Sequence, residues 1–137
     1  MAALSDFLEN KLIDFLFRGQ ALGITGASAA AGTGPTSLYV GLYTANPTDA
    51  AGGTEVTGGS YARQAAVFGT ASSGVEATTD AQNWTSMPAV TVTHFGFWSA
   101  ATAGTWEGGG PLTSSLTVPA GATVAAAIGA LTVQVQG

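Results

Sequence analysis

The sequence predicts a mainly β protein: a jelly-roll-like antiparallel β-sandwich of seven or eight short strands, preceded by an N-terminal α-helical arm. Three observations carry this. From Leu38 onward, apolar residues recur with the period of two that belongs to strands. The segments are separated by turn sequences rich in glycine and proline, of which the chain has 20 and 5. Only residues 5–18 show helical periodicity. The chain therefore divides into an amphipathic attachment or oligomerisation arm (1–19), a Gly/Ala-rich connector (20–37) and a β-sandwich body (38–137).

The helix is SDFLENKLIDFLFR. Ser5 or Asp6 can cap its N-terminus, Glu9 suits the first turn, and Gly19 stands where a left-handed C-terminal residue is wanted. At about 100° per residue, Phe7, Leu8, Leu12, Phe15 and Leu16 form one broad apolar stripe. Lys11, Asp14 and Arg18 line one edge at spacings suited to weak ion pairs. Ile13 and Phe17 fall off the main stripe. The expectation is that the main stripe covers the body and the second patch meets a neighbouring subunit.

The segment QALGITGASAAAGTGPTS (20–37) is small, uncharged and connector-like. LYVGLYT (38–44) is bulky on both faces, as a covered central strand would be. Asn46-Pro47-Thr48-Asp49 is a turn, and SYARQAAVF (60–68) is a second strand. Residues 70–81, small apart from two acids, read as a loop. Strand pieces follow at Asn83–Met87 and Val90–Trp98, then near Thr105–Glu107 and Leu112–Val118. Pro119-Ala120-Gly121 is a turn, and TVAAAIGALTVQVQ (123–136) makes two strand pieces broken near Gly129.

Composition narrows the function. Three Lys and Arg stand against eight Asp and Glu, so 8% of residues are charged, the net charge is −5 and 46% are hydrophobic. Soluble domains carry roughly 25% charged residues. So sparse a set suggests a surface covered by copies of the same chain or by a larger assembly. Three cations cannot neutralise a row of phosphates, which argues against nucleic-acid binding. No apolar run reaches the roughly 18 residues that suggest a membrane span, and the early acids Asp6 and Glu9 do not suit a signal peptide. With no cysteine there is neither a disulfide framework nor a thiolate metal site.

The ingredients for catalysis are thin, and the chain is expected not to be an enzyme and to hold no cofactor or metal. His94 is the sole histidine, set among Phe95, Phe97 and Trp98; a catalytic or metal role would need partners at a recognisable spacing. Gly58-Gly59-Ser60-Tyr61-Ala62 fails as a nucleophile elbow because Ala62 replaces the second glycine. Gly32–Ser37 lacks the lysine of a phosphate loop. Arg63 is the only cation after residue 18. In a strand between Tyr61 and Phe68 it needs a partner, and Glu55 is the nearest candidate for a structural ion pair that pins the Gly-rich loop.

Four segments, LSDFLENKLIDFLFRG (4–19), LYVGLYTANPTDAAGGTEVTGGSYARQ (38–64), VTHFGFWSAATAGT (92–105) and LTVPAGATVAAAIGALTV (116–133), resemble a family of small bacteriophage virion structural proteins, often labelled tail-fibre-like. The resemblance spans nearly the whole chain. It implies a non-enzymatic particle component made in the host cytoplasm. Absence of repeats or heptads favours a capsid cement or decoration protein over an extended shaft. Its expected partners are itself, as a homo-oligomer such as a trimer, and phage coat or tail subunits. Alternatives are a tail, neck or fibre-associated component, or a host-surface carbohydrate-binding module using Trp84, Trp98, Trp106, Tyr39 and Tyr43.

Overall fold

The computed structural model describes residues 5–20 and 38–134. Among these residues the protein is mainly β, with one N-terminal helix and eight antiparallel strands. They are α1 (Asp6–Arg18), β1 (Leu38–Tyr43), β2 (Gln64–Ala66), β3 (Val75–Ala77), β4 (Gln82–Trp84), β5 (Val90–Trp98), β6 (Trp106–Val118), β7 (Val124–Ala126) and β8 (Thr132–Gln134). The strands make a four-stranded sheet in the order β2-β1-β5-β6 and two ribbons, β3-β8 and β4-β7. The connector expected over 20–37 lies, beyond Gln20, outside the described residues.

Two compact units result, each discontinuous in sequence. One takes Val67–Ala81 with the described parts of Met1–Ser37 and Ala127–Gly137; the other is Leu38–Ala66 with Gln82–Ala126. The helix therefore shares a unit with β3 and β8, where the sequence suggested a separate arm beside one body.

In the helical unit, Ser5 caps α1 by accepting from the Leu8 N–H at 3.4 Å, and Gly19 closes it at φ 63°. The face that docks runs through Asn10, Ile13, Asp14 and Phe17. Ile13 is 0% exposed, and Phe17 meets Phe68 edge to face at 5.3 Å. Asn10 Oδ1 accepts from the Gly74 N–H at 2.7 Å, and Asp14 Oδ1 from the Ala71 N–H at 3.1 Å. Ile13 and Phe17, expected to meet a neighbour, face their own unit, while along the broader stripe Phe7 is exposed and Leu8, Leu12, Phe15 and Leu16 are half-buried. The turn before β3 presents backbone donors that need acceptors, and the face carrying Asn10 and Asp14 supplies them.

β3 falls within the stretch read as a loop. Its Glu76 points inward and is 1% exposed. Neither carboxylate oxygen makes a hydrogen bond among the described residues, and Arg18 Nε approaches only to 3.8 Å. Burial, reinforced by the negative charge of Asp14 and only partly opposed by Arg18, pushes the Glu76 carboxyl from 4.5 up to about 8.

The second unit holds the larger core: Leu38, Val40, Leu42, Val56, Trp84, Met87, Val92, Phe97 and Val124 are buried. In register, Val40 opposes Phe97 and Leu42 opposes Phe95, while Tyr39, Gly41 and Tyr43 oppose Trp98, Gly96 and His94. Directly opposed residues share a face, so β1 and β5 carry an aliphatic–phenylalanine layer on one side and a Tyr/Trp layer on the other. The two pieces expected near 105–107 and 112–118 are one strand, β6. The glycines between those pieces let β6 lie close to β5: a side chain on Gly109 would strike the Phe95 carbonyl oxygen. β2 is shorter than expected, spanning Gln64–Ala66, and Gly58 and Gly59 turn the chain at φ 96° and 59° ahead of residues 60–63.

Glu76 sets a pH dependence. A carboxyl whose folded pKa is raised stabilises the fold at low pH, and this contribution is lost as pH climbs from 4.5 through about 8. At about 1.4 kcal/mol per pKa unit, ionising it costs several kcal/mol. The wild-type Tm should therefore fall across that range. Glu76→Gln should flatten the curve and raise Tm above pH 8 by about 5 °C or more. Thermal unfolding followed by circular dichroism at several pH values checks this.

Candidate functional site

The Tyr/Trp face of the four-stranded sheet gathers most of the second unit's polar chemistry. Gly41 and Gly96 oppose one another across β1 and β5, so the sheet has a side-chain-free trough. Two groups of side chains fill it. A Cβ on Gly41 would stand 2.9 Å from Glu55 Oε1 and 3.4 Å from the Tyr61 hydroxyl, and one on Gly96 would run into the Trp106 ring.

Arg63 is the hub. Its Nε and Nη2 donate to the two carboxylate oxygens of Glu55, each at 2.8 Å. Its Nη1 donates to the carbonyls of Ala100 at 3.2 Å and Ala103 at 2.7 Å. The guanidinium carbon sits 3.9 Å from the centre of the Trp98 ring. A planar fork with donors on both edges and an aromatic under its face uses everything that distinguishes arginine from lysine. The pair holds the loop before β2 against the β5–β6 turn.

The surrounding groups complete the network. The Tyr61 hydroxyl donates to Glu55 Oε1 at 3.0 Å and accepts from the Leu42 N–H at 2.8 Å. Trp98 Nε1–H donates to the Tyr43 hydroxyl at 2.7 Å. Trp106 meets Trp98 and Tyr43 edge to face at 5.4 and 5.8 Å. Burial raises the Tyr43 and Tyr61 hydroxyls above the usual phenol value, and the Glu55 hydrogen bond raises Arg63. Each change favours the form that already makes the hydrogen bonds seen. Such a cluster is built for rigidity, and its committed guanidinium is poorly placed to grip an anion.

The other sequence candidates scatter. His94 Nδ1 lies 2.8 Å from the hydroxyl of its chain neighbour Thr93. No three His, Cys, Asp or Glu side chains converge among the described residues. Trp84 and Tyr43, at 1% and 2% exposure, belong to the core and offer no open face. Trp98, Trp106 and Tyr39 are half-buried. Phe7 is 61% exposed, with Leu8, Leu12, Phe15 and Leu16 half-buried along α1. Sequence reasoning passed over the trough, although glycines inside LYVGLY and HFGFW are the signal for close approach within a strand.

Removing Arg63 should leave Glu55 without its partner and the 100–103 carbonyls without their donor. Arg63→Ala should cost about 2–4 kcal/mol, and Arg63→Lys should recover only part of this because it keeps the charge and loses the fork. Urea denaturation of the three proteins measures both differences.

A committed, hydrogen-bonded cluster and a helix with apolar residues left outside its docking face suit a structural role. No curated protein matches the chain. A family model does, described as Podophage GP4 fiber I protein gp80, and it covers residues 3–134. The chain accordingly belongs to this phage fibre family, and is a structural component of the virion.

Proposed function

We propose that the protein is a fibre-associated component of the phage tail or neck that works as a homo-oligomer, a trimer, joined through α1. The observation that carries this reading is the apolar stripe Phe7, Leu8, Leu12, Phe15 and Leu16, which lies off the face that docks Ile13 and Phe17. Its occupant is the same stripe of further copies, since phage fibres are symmetric assemblies and a helix rimmed by Glu9 and Lys11 can complement itself. A 13-residue helix is marginal alone, but α1 is already held by Asn10, Asp14 and Phe17. The stripe is thus presented in a fixed conformation, which lowers the ordering cost of assembly.

The fibre-associated placement draws support from the family description. The capsid cement role, favoured in the sequence by the absence of repeats and heptads, has no support in the family description. The shortage of charge supports contacts with tail subunits over much of the remaining surface.

Light scattering coupled to size exclusion tests the assembly. The wild type should elute as an oligomer at micromolar concentration. Leu12→Glu, which leaves the docking face intact, should shift the population to monomer with an unchanged circular dichroism spectrum. A wild-type monomer, or an oligomer indifferent to Leu12→Glu and Leu8→Glu, would overturn the proposal.

A further inference from the structure

On the second unit, at the start of β6, lies an open cleft of about 530 Å³ lined by Asn46, Thr48, Asp49, Trp106, Glu107 and the Gly108–Gly109 backbone. Adjacent strand residues ordinarily point to opposite faces. Here Phe97 opposes Gly108 while Trp98 opposes Trp106, so Glu107 is an extra residue in β6. This bulge allows Trp106 and Glu107 to line the same cleft, and Gly108 takes it at φ 138°, a value that suits only glycine. The other wall is the turn after β1, shaped by the Thr48 N–H donating to Asn46 Oδ1 at 3.0 Å.

The chemistry of this cleft differs from that of the Arg63 cluster. Neither the Asp49 nor the Glu107 carboxylate has a partner among the described residues. Burial holds the Glu107 carboxyl above its ordinary range. Trp106 is fixed in place by Trp98 and Tyr43 from the side and by Gly96 below, so its ring needs no ordering on binding. The lining therefore combines a rigid aromatic surface, two uncommitted acceptors, an amide, a hydroxyl and a bare backbone stretch that a flat ligand can approach.

We propose that this cleft is a saccharide subsite for a neutral or N-acetylated hexose unit. The apolar C–H face of a pyranose packs on Trp106, and its hydroxyls donate to Asp49 and Glu107. A metal ion would need more carboxylates than the cleft brings together. An acidic sugar or a phosphate would meet two carboxylates with no opposing cation, whereas a ring of hydroxyl donors matches the acceptors present. The subsite goes beyond the fibre reading and does not depend on the oligomer.

The test applies the full-length protein to an array of neutral and N-acetylhexosamine oligosaccharides, with polygalacturonate and a lysine-rich peptide as competing classes. Hits are then titrated by tryptophan fluorescence. At least one neutral or N-acetylated glycan should saturate the signal. Asp49→Asn and Glu107→Gln, which keep shape and packing, should each weaken it about tenfold. Trp106→Phe should weaken it further while the circular dichroism spectrum is retained. Absence of any neutral or N-acetylated ligand overturns the inference. So does wild-type affinity in both carboxylate variants, or binding confined to polygalacturonate or the peptide.

Discussion

The bidentate pair between Arg63 and Glu55 is the constraint on which the sheet's polar face depends. Glu55 is tied to Arg63 and Tyr61, Tyr61 accepts from the backbone of β1, and Arg63 reaches across to the 100–103 carbonyls and lies on Trp98. Without the guanidinium, a half-buried carboxylate and two carbonyls would need new partners at once. Networks of this kind are rigid when complete and costly when broken. The rigidity extends to Trp106, which leans on Trp98 and Tyr43, and so to one wall of the cleft.

The helical unit solves a related problem differently. Its docking face is not its most apolar face. Packing Phe7, Leu8, Leu12, Phe15 and Leu16 inward would bury more hydrocarbon, but it would leave the N–H groups of Ala71 and Gly74 without acceptors. An unmet buried donor costs about 1–3 kcal/mol, while turning the helix preserves Ile13 and Phe17 as apolar contacts. Hydrogen-bond satisfaction sets this orientation, and Phe7 is left exposed.

Scarcity of charge takes on a specific meaning in this light. Arg18 is committed to Asp14 at 3.0 Å and Arg63 to Glu55, so two of the three basic residues work inside their own units. Glu76 is sequestered in a setting that favours its neutral form. In the second unit, the carboxylates of Asp49 and Glu107 have no partner among the described residues, in contrast to Glu55. The virion role rests on the family relationship.

By itself the sequence determined the elements whose signals are local. Ser5, the 3.6-residue pattern and Gly19 define α1; alternation defines β1 and β5; the break near Gly129 separates β7 from β8. The Glu55–Arg63 pair was also legible, because a lone cation inside a strand has few partners to choose from. Tertiary structure decided the rest, for reasons no local window contains. β3 forms because a strand more than fifty residues later pairs with it. Gly108-Gly109-Gly110 joins the two expected pieces into one strand because Trp106 and β5 approach closely there. The docking face of α1 follows from donors on a distant turn. The cleft at Trp106 and Glu107 exists only because a β-bulge reorients one side chain, and a bulge is a property of the paired strand rather than of the residues that make it.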